Sequence, residues 1–240
     1  MDLLLLALAA LAISFATFFT GFGLGTLLAP LLLFWVPVDV AIGLTAVVHL
    51  SNNLFKLAIL PARPPAKILV AFGIPAVLSA FFGAALLTYW GPNENMPRIL
   101  GAVLVALAVL ELLPAVRRWE FPATALPLGG FLSGFLGGLT GNQGALRSAF
   151  LVRSGLSKEA LVASTVAISL GVDVTRLSMY ASTWSSLPWA DYGLILGAAG
   201  IPALTGSFIG RKYLPKIRME RIELAVSLGL LALGIYLIMH

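Results

Sequence analysis

Three basic residues, Lys56, Arg147 and Arg176, stand inside long apolar stretches and not in the loops between them. An ionisable group within a membrane is costly unless it is paired, solvated or able to reach the interface, so each is a functional candidate. Each also has a plainer reading. Lys56 lies a turn from the end of its helix and can snorkel its ammonium to the interface. Arg147 follows a Gly-rich break and can pair with a carbonyl or carboxylate. Arg176 has Asp173 three residues earlier on the same helix face, a spacing that suits an ion pair.

The segments carrying these charges are striped with polar residues. One stripe is Thr45, His49, Asn52, Asn53 and Lys56; the other is Thr165, Ser169, Asp173 and Arg176. Spacings of three and four place each set on one helix face, and in a bilayer such a face turns away from lipid. Helix–helix hydrogen bonding is the plainer use of the Thr and Ser positions. His49 can carry a proton. No second histidine or carboxylate cluster joins it to hold a metal.

Two Gly-rich breaks supply the third feature. The first runs Thr20-Gly21-Phe22-Gly23-Leu24-Gly25-Thr26, the second Thr140-Gly141-Asn142-Gln143-Gly144 with Arg147 just beyond. A helix restarting at such a break presents unbonded N–H groups and the positive end of its dipole, which favours an anion. Gly lets a ligand approach the backbone, Asn142 and Gln143 add donors, and Arg147 adds a fork suited to oxyanions. Glycines of this kind also let helices cross closely. Gly23 and Gly25 make no nucleotide fingerprint, since no strand precedes them.

The elements that position these residues are written twice. Thr20-Gly21 recurs as Thr140-Gly141, the Asn53/Lys56 pair as Asp173/Arg176, Gly73-Ile74-Pro75-Ala76 as Gly200-Ile201-Pro202-Ala203, and Met96-Pro97-Arg98-Ile99 as Met219-Glu220-Arg221-Ile222. Duplicated hydrophobic segments are a signature of secondary transporters, whose substrate site lies between the halves. Residues 1–114 form repeat one, 115–121 a cytoplasmic linker and 122–240 repeat two, within a single membrane domain spanning 1–240. Each repeat reads as a helical hairpin (2–36 and 122–154), either re-entrant or twice-crossing, followed by three transmembrane helices. These helices are expected near 39–60, 67–89 and 97–114, and near 159–181, 190–212 and 220–239. The fold class is all-α integral membrane with two inverted repeats.

Composition and charge agree with that class. Hydrophobic residues make up 60% of the 240 and charged residues 10%, with mean hydropathy +1.00. The net charge of +5 does not point to nucleic acid, because the basic residues cluster at helix ends. With the second repeat inverted, eleven basic residues fall on one side: Arg63, Lys67, Arg117, Arg118, Arg153, Lys158, Arg211, Lys212, Lys216, Arg218 and Arg221. Only Arg98 falls in a loop on the other, so the first side is cytoplasmic and both termini face outward. A parallel repeat scatters the same residues. Asp2 stands where a signal peptide has its basic region, so Leu3 onward reads as a retained span. The chain has no cysteine, which excludes disulfides and thiol nucleophiles.

These motifs resemble the sulfite exporter TauE/SafE family, also called the toluene-sulfonate uptake permease family. The resemblance lies in Gly21-Phe22-Gly23-Leu24-Gly25 with Pro30, in Gly134-Phe135-Leu136-Gly137-Gly138-Leu139-Thr140-Gly141-Asn142-Gln143-Gly144, and in Leu156-Ser157-Lys158-Glu159-Ala160 followed by Asp173-Val174-Thr175-Arg176-Leu177. It covers essentially the whole chain. It implies transport of sulfur-containing anions such as sulfite or sulfonates across a prokaryotic inner membrane, with the glycine motif mapping onto Gly21, Gly23, Gly25, Gly141 and Gly144. Asn142 and Gln143 depart from the family's glycine run.

The expected function is therefore a secondary transporter of small sulfur-containing anions, with a passive anion channel as the alternative. An enzyme finds no support, since no catalytic constellation, cofactor motif or metal-ligand cluster is visible. The expected substrate-binding residues are Thr20, Gly21, Gly23, Gly25, His49, Asn52, Asn53, Lys56, Thr140, Gly141, Asn142, Gln143, Gly144, Arg147, Asp173 and Arg176. The partners are the anion and the lipid bilayer. Coupling to protons and homo-oligomerisation are left open by the sequence.

Overall fold

The computed structural model describes residues 3–20, 24–90, 95–113, 121–140, 144–151, 154–184, 189–213 and 219–239. Gly21, Gly23, Gly141, Asn142, Gln143 and linker residues 115–120 lie outside the described residues. Every described element is helical. The first half holds α1 (Leu3–Thr20), α2 (Leu24–Leu32), α3 (Val38–Ile59), the short α4 (Ala66–Ile68), α5 (Ile74–Trp90) and α6 (Met96–Leu112). A short 3-10 turn, Ala123–Ala125, leads into the second half. That half holds α7 (Leu126–Thr140), α8 (Gly144–Leu151), α9 (Lys158–Trp184), α10 (Trp189–Tyr213) and α11 (Met219–Met239).

Among the described residues, three helical stretches are both long and apolar enough to cross a membrane: Ala66–Leu86, Lys158–Met179 and Trp189–Tyr213. The 22-residue α3 has the length, ~33 Å at 1.5 Å per residue, but carries the polar stripe. The second arm of each hairpin is much shorter. With nine residues in α2 and eight in α8, these helices reach only ~14 and ~12 Å, against a hydrocarbon core of ~30 Å. Neither can cross alone. Helix α2 stops two residues after Pro30, which lacks a backbone donor and crowds the preceding turn. Between α4 and α5 the chain widens into a π-helical turn, Leu69–Gly73, just before Pro75. The wider turn makes room for a proline ring that would clash with the carbonyl four residues back.

Small residues draw the helices together. Gly130, Gly134 and Gly138 on α7 meet the backbone carbonyls of Phe72, Ala76 and Ala80, so that a Cβ at any of them would collide with those oxygens. Gly101 on α6 and Gly234 on α11 face each other's carbonyls, with an added Cβ falling 2.7 and 2.8 Å away. Gly206 on α10 rests on the Leu11 carbonyl and Gly210 on the Phe18 side chain. In a membrane, where lipid is as apolar as leucine, such close backbone approach is a main source of helix association.

These contacts also set direction. Phe72, Ala76 and Ala80 meet Gly130, Gly134 and Gly138 in the same order, so α5 and α7 run parallel. Leu11 and Phe18 meet Gly206 and Gly210, so α1 and α10 run parallel too. By contrast, the end of α3 at Leu60 packs with Val162 and Ala163 at the start of α9, while His49 reaches Asp173 farther along, so α3 and α9 are antiparallel. Gly101 and Val105 meet Leu237 and Gly234, so α6 and α11 are antiparallel as well. Helix α3 packs against α9, α10 and α2, and α9 against α3 and α5. The two striped helices thus form an inner pair.

Candidate functional site

The stripes are where amphipathic spacing places them. Thr45, His49, Asn52, Asn53 and Lys56 on α3 are all buried, as are Thr165, Ser169, Asp173 and Arg176 on α9. The antiparallel crossing brings the two faces together. His49 Nδ1 lies 2.5 Å from Asp173 Oδ2, and Asn53 Nδ2 donates to the same oxygen at 3.2 Å. One carboxylate oxygen on α9 therefore gathers two donors from successive turns of α3.

The spacing of Asp173 and Arg176 suits either an ion pair between them or a substrate contact by Arg176. The second carboxylate oxygen, Oδ1, lies 3.8 Å from Arg176 Nη1, within Coulombic range but beyond hydrogen-bond length. Arg176 Nε and Asp173 Oδ1 are buried without hydrogen-bond partners. The closer partner of Asp173 comes from the other helix, because the side chain points into the crossing and not along its own face.

Arg147 is fully buried on α8. Its Nη1 donates to the Thr165 carbonyl at 2.8 Å and to Ser169 Oγ at 2.5 Å, which pins α8 to α9. Its Nε and Nη2 have no partner. Those two atoms form the side-on edge of the guanidinium, the edge that grips an oxyanion with parallel N–H bonds. The carbonyl pairing anticipated for Arg147 is thus present, and it occupies one nitrogen while leaving the fork free.

Lys56 does not snorkel. It is 2% exposed, and its Nζ sits 5.7 Å from the centroid of the Phe18 ring on α1. A cation over an aromatic face keeps part of its stabilisation without water. Among the described residues, the buried charged side chains comprise three bases, Lys56, Arg147 and Arg176, and one acid, Asp173. Counted as ionised, with His49 neutral, three bases against one acid leave an excess of two basic groups. Uncompensated buried charge is strongly unfavourable, and a small anion is its natural complement.

The breaks contribute what can be described of them. Thr20 and Thr140 are the last residues of α1 and α7, and Gly144 opens α8. Gly25, in the first turn of α2, packs on His49, with an added Cβ 3.4 Å from the imidazole Cδ2. Arg147, in the first turn of α8, bonds Ser169. Each short helix therefore begins beside the inner helix of its own half.

The sequence reading missed Ser14 and Ser207. Ser207 Oγ donates to Asn52 Oδ1 at 2.7 Å and lies 2.9 Å from Ser14 Oγ, which reaches the Ala203 carbonyl at 2.6 Å. The two hydroxyls own one proton each, so they cannot serve all three contacts at once. Asn52 Nδ2 and Thr45 Oγ1 are left buried and unpartnered. Single serines in apolar spans were the available signal; the partners 155 and 193 residues away were not.

A family model described as Sulfite exporter TauE/SafE matches residues 6–237. The chain belongs to the sulfite exporter TauE/SafE family. No curated protein and no solved structure matches it. Membership in TauE/SafE makes this a membrane transport protein and agrees with the apolar helices of the fold. The buried basic excess and the free guanidinium edge are features of this TauE/SafE chain itself, and they suit an oxyanion in chemistry as well as in name.

Proposed function

We propose that the protein is a secondary transporter that moves a small sulfur-containing oxyanion, sulfite or a sulfonate, across the inner membrane. The anion binds between two inverted repeats, at the crossing of α3 and α9, where α2 and α8 begin. The observation that carries this reading is the buried Nε–Nη2 edge of Arg147, held in place through Nη1 and otherwise unpartnered. The excess of buried basic over acidic groups supports the sign of the substrate. Arg176 and Lys56 supply charge, Gly25 and Gly144 lie in the first turns of the short helices, and Asn52 offers a free amide donor. On this reading Gly21, Gly23, Gly141, Asn142 and Gln143 complete the two helix starts.

The helix directions support inversion. Exchanging the halves turns the parallel α1–α10 pair into the parallel α7–α5 pair, and maps the antiparallel α3–α9 and α6–α11 pairs onto themselves. Counterflow in proteoliposomes tests the function. A carrier loaded inside with unlabelled sulfite accelerates entry of labelled sulfite from outside, whereas a passive channel shows no such trans-stimulation. Flux without trans-stimulation favours the channel; absence of any flux for sulfite, thiosulfate and methanesulfonate defeats both.

A further inference from the structure

The His49–Asp173 pair is the one buried contact between an acid and a titratable base at hydrogen-bond length among the described residues. The anion-binding reading does not need it. Its geometry is specific. Nδ1 lies 2.5 Å from Asp173 Oδ2, so Nδ1–H donates to the carboxylate and the tautomer is fixed. That leaves Nε2, which lies 3.5 Å from Asn53 Nδ2, as the nitrogen able to accept a second proton. The Cγ–Cδ2 side of the ring faces the first turn of α2, where a Cβ on Gly25 would lie 3.4 Å from Cδ2, 3.5 Å from Cγ and 3.7 Å from Nε2. His49 is also the most exposed of the buried polar side chains on α3, at 7%.

We propose that the His49–Asp173 pair is the coupling site for a proton, and that the protein carries its anion and a proton together in the same direction. The inference rests on the anion reading and adds the coupling ion to it. The charged neighbours decide its sign. Lys56 lies on the same helix, Asp173 and Arg176 on α9, and Arg147 on α8, bonded to α9. The sequences of α1, α2 and α7 contain no titratable side chain. On α10, Asp191, Tyr192, Arg211, Lys212 and Tyr213 sit in the end turns, and on α5 only Tyr89 titrates.

With His49 neutral, the buried excess is two positive charges; a proton on Nε2 makes it three. Asp173 stabilises the imidazolium locally, but the remaining bases oppose it. A bound anion removes that opposition, so anion and proton favour each other. By linkage the effect is reciprocal: protonation must raise anion affinity by the same factor that the anion raises proton affinity. The balance is simple. One proton enters from the water on the loading side, rides on Nε2 beside the anion, and leaves with it on the other side. An antiporter would need the opposite sign, with the proton expelled on anion binding.

The ring can be watched directly. The chain has two histidines, His49 and His240, so a His240→Asn protein labelled with 15N-histidine reports His49 alone. The spectrum is recorded at a series of pH values between about 5 and 8, with and without each of sulfite, thiosulfate and methanesulfonate. Binding of each anion is checked separately by calorimetry. A saturating anion is expected to raise the ratio of doubly to singly protonated ring about tenfold, a typical size for coupling between sites. In parallel, methanesulfonate or thiosulfate should bind about tenfold more tightly near pH 6 than near pH 8, and His49→Gln should abolish that difference. Anion binding with an unchanged ring overturns the coupling site and leaves the transporter reading standing. Binding that deprotonates the ring overturns symport in favour of exchange. Failure of all three anions to bind removes the anion reading and this inference together.

Discussion

At the scale of single residues, the decisive feature is how Arg147 divides its donors. Nη1 is spent on Thr165 and Ser169, while Nε and Nη2 are buried and free. Arg147→Lys keeps the charge and can still reach α9, but loses the two-pronged edge. It should weaken sulfite binding at least tenfold, since a lost charge-assisted hydrogen bond is worth roughly 1.5–3 kcal/mol and 1.4 kcal/mol is a factor of ten. Arg63→Ala, on an exposed loop residue, should leave the affinity unchanged. Calorimetry on both purified proteins checks this, and unchanged affinity in folded Arg147→Lys would make the arginine a strut between α8 and α9. Residue types and spacing made Arg147, His49 and Asp173 legible as candidates, because charge in an apolar span has few harmless explanations. Their partners were not legible. Asp173 looks toward Arg176 in sequence, yet meets His49 across 124 residues, and only the crossing of two helices decides between them.

At the scale of elements, helix positions followed from apolar run length. The stretch expected near 39–60 is Val38–Ile59, and the one near 220–239 is Met219–Met239. Proline and glycine bound those runs, so the ends were readable to within a few residues. Two things were not. The brevity of α2 is invisible in hydropathy, which stays high through the first hairpin; only the hydrogen-bond ladder shows where helix stops. The glycines of the two breaks were ambiguous between ligand approach and close crossing. Gly130, Gly134 and Gly138, outside the breaks, serve crossing, and Gly25, in the first break, packs on His49. Gly134→Ala should therefore destabilise, by about 1–3 kcal/mol as for overpacking a filled interface, because its Cβ meets the Ala76 carbonyl. Gly193→Ala meets nothing within 4 Å and should be neutral or gain up to about 1 kcal/mol of helix propensity. Thermal unfolding in one detergent ranks the pair, and equal midpoints would contradict the α5–α7 contact. Gly25→Ala sits at ordinary contact distance and should still bind sulfite, whereas Gly25→Leu should displace the imidazole and cut affinity at least tenfold. Normal binding by Gly25→Leu would move the anion away from α2.

At the scale of the whole molecule, inversion makes a prediction that no single residue can. If the halves are repeats, position 63, after α3, and position 185, after α9, occupy equivalent places in them. If the halves are inverted these positions lie on opposite sides of the membrane; if parallel, on the same side. Arg63, Lys67, Lys158, Arg211 and Lys212 are exposed in the structure; from the positive-inside rule we propose that they share the cytoplasmic side. The chain has no cysteine, so single-cysteine proteins can be labelled without background. In intact cells, an impermeant thiol reagent should reach Ser185→Cys, Asn95→Cys and a cysteine appended at the C-terminus. It should not reach Arg63→Cys or Lys158→Cys until the membrane is permeabilised. Labelling of both Arg63→Cys and Ser185→Cys, or protection of both, would make the repeats parallel. Labelling of Arg63→Cys with protection of Ser185→Cys would keep the inversion and reverse the orientation. The outcome bears on the site as well. Only in the inverted arrangement do α2 and α8 enter from opposite faces and start toward a common plane, which is what lets one anion meet both helix starts and be released to either side.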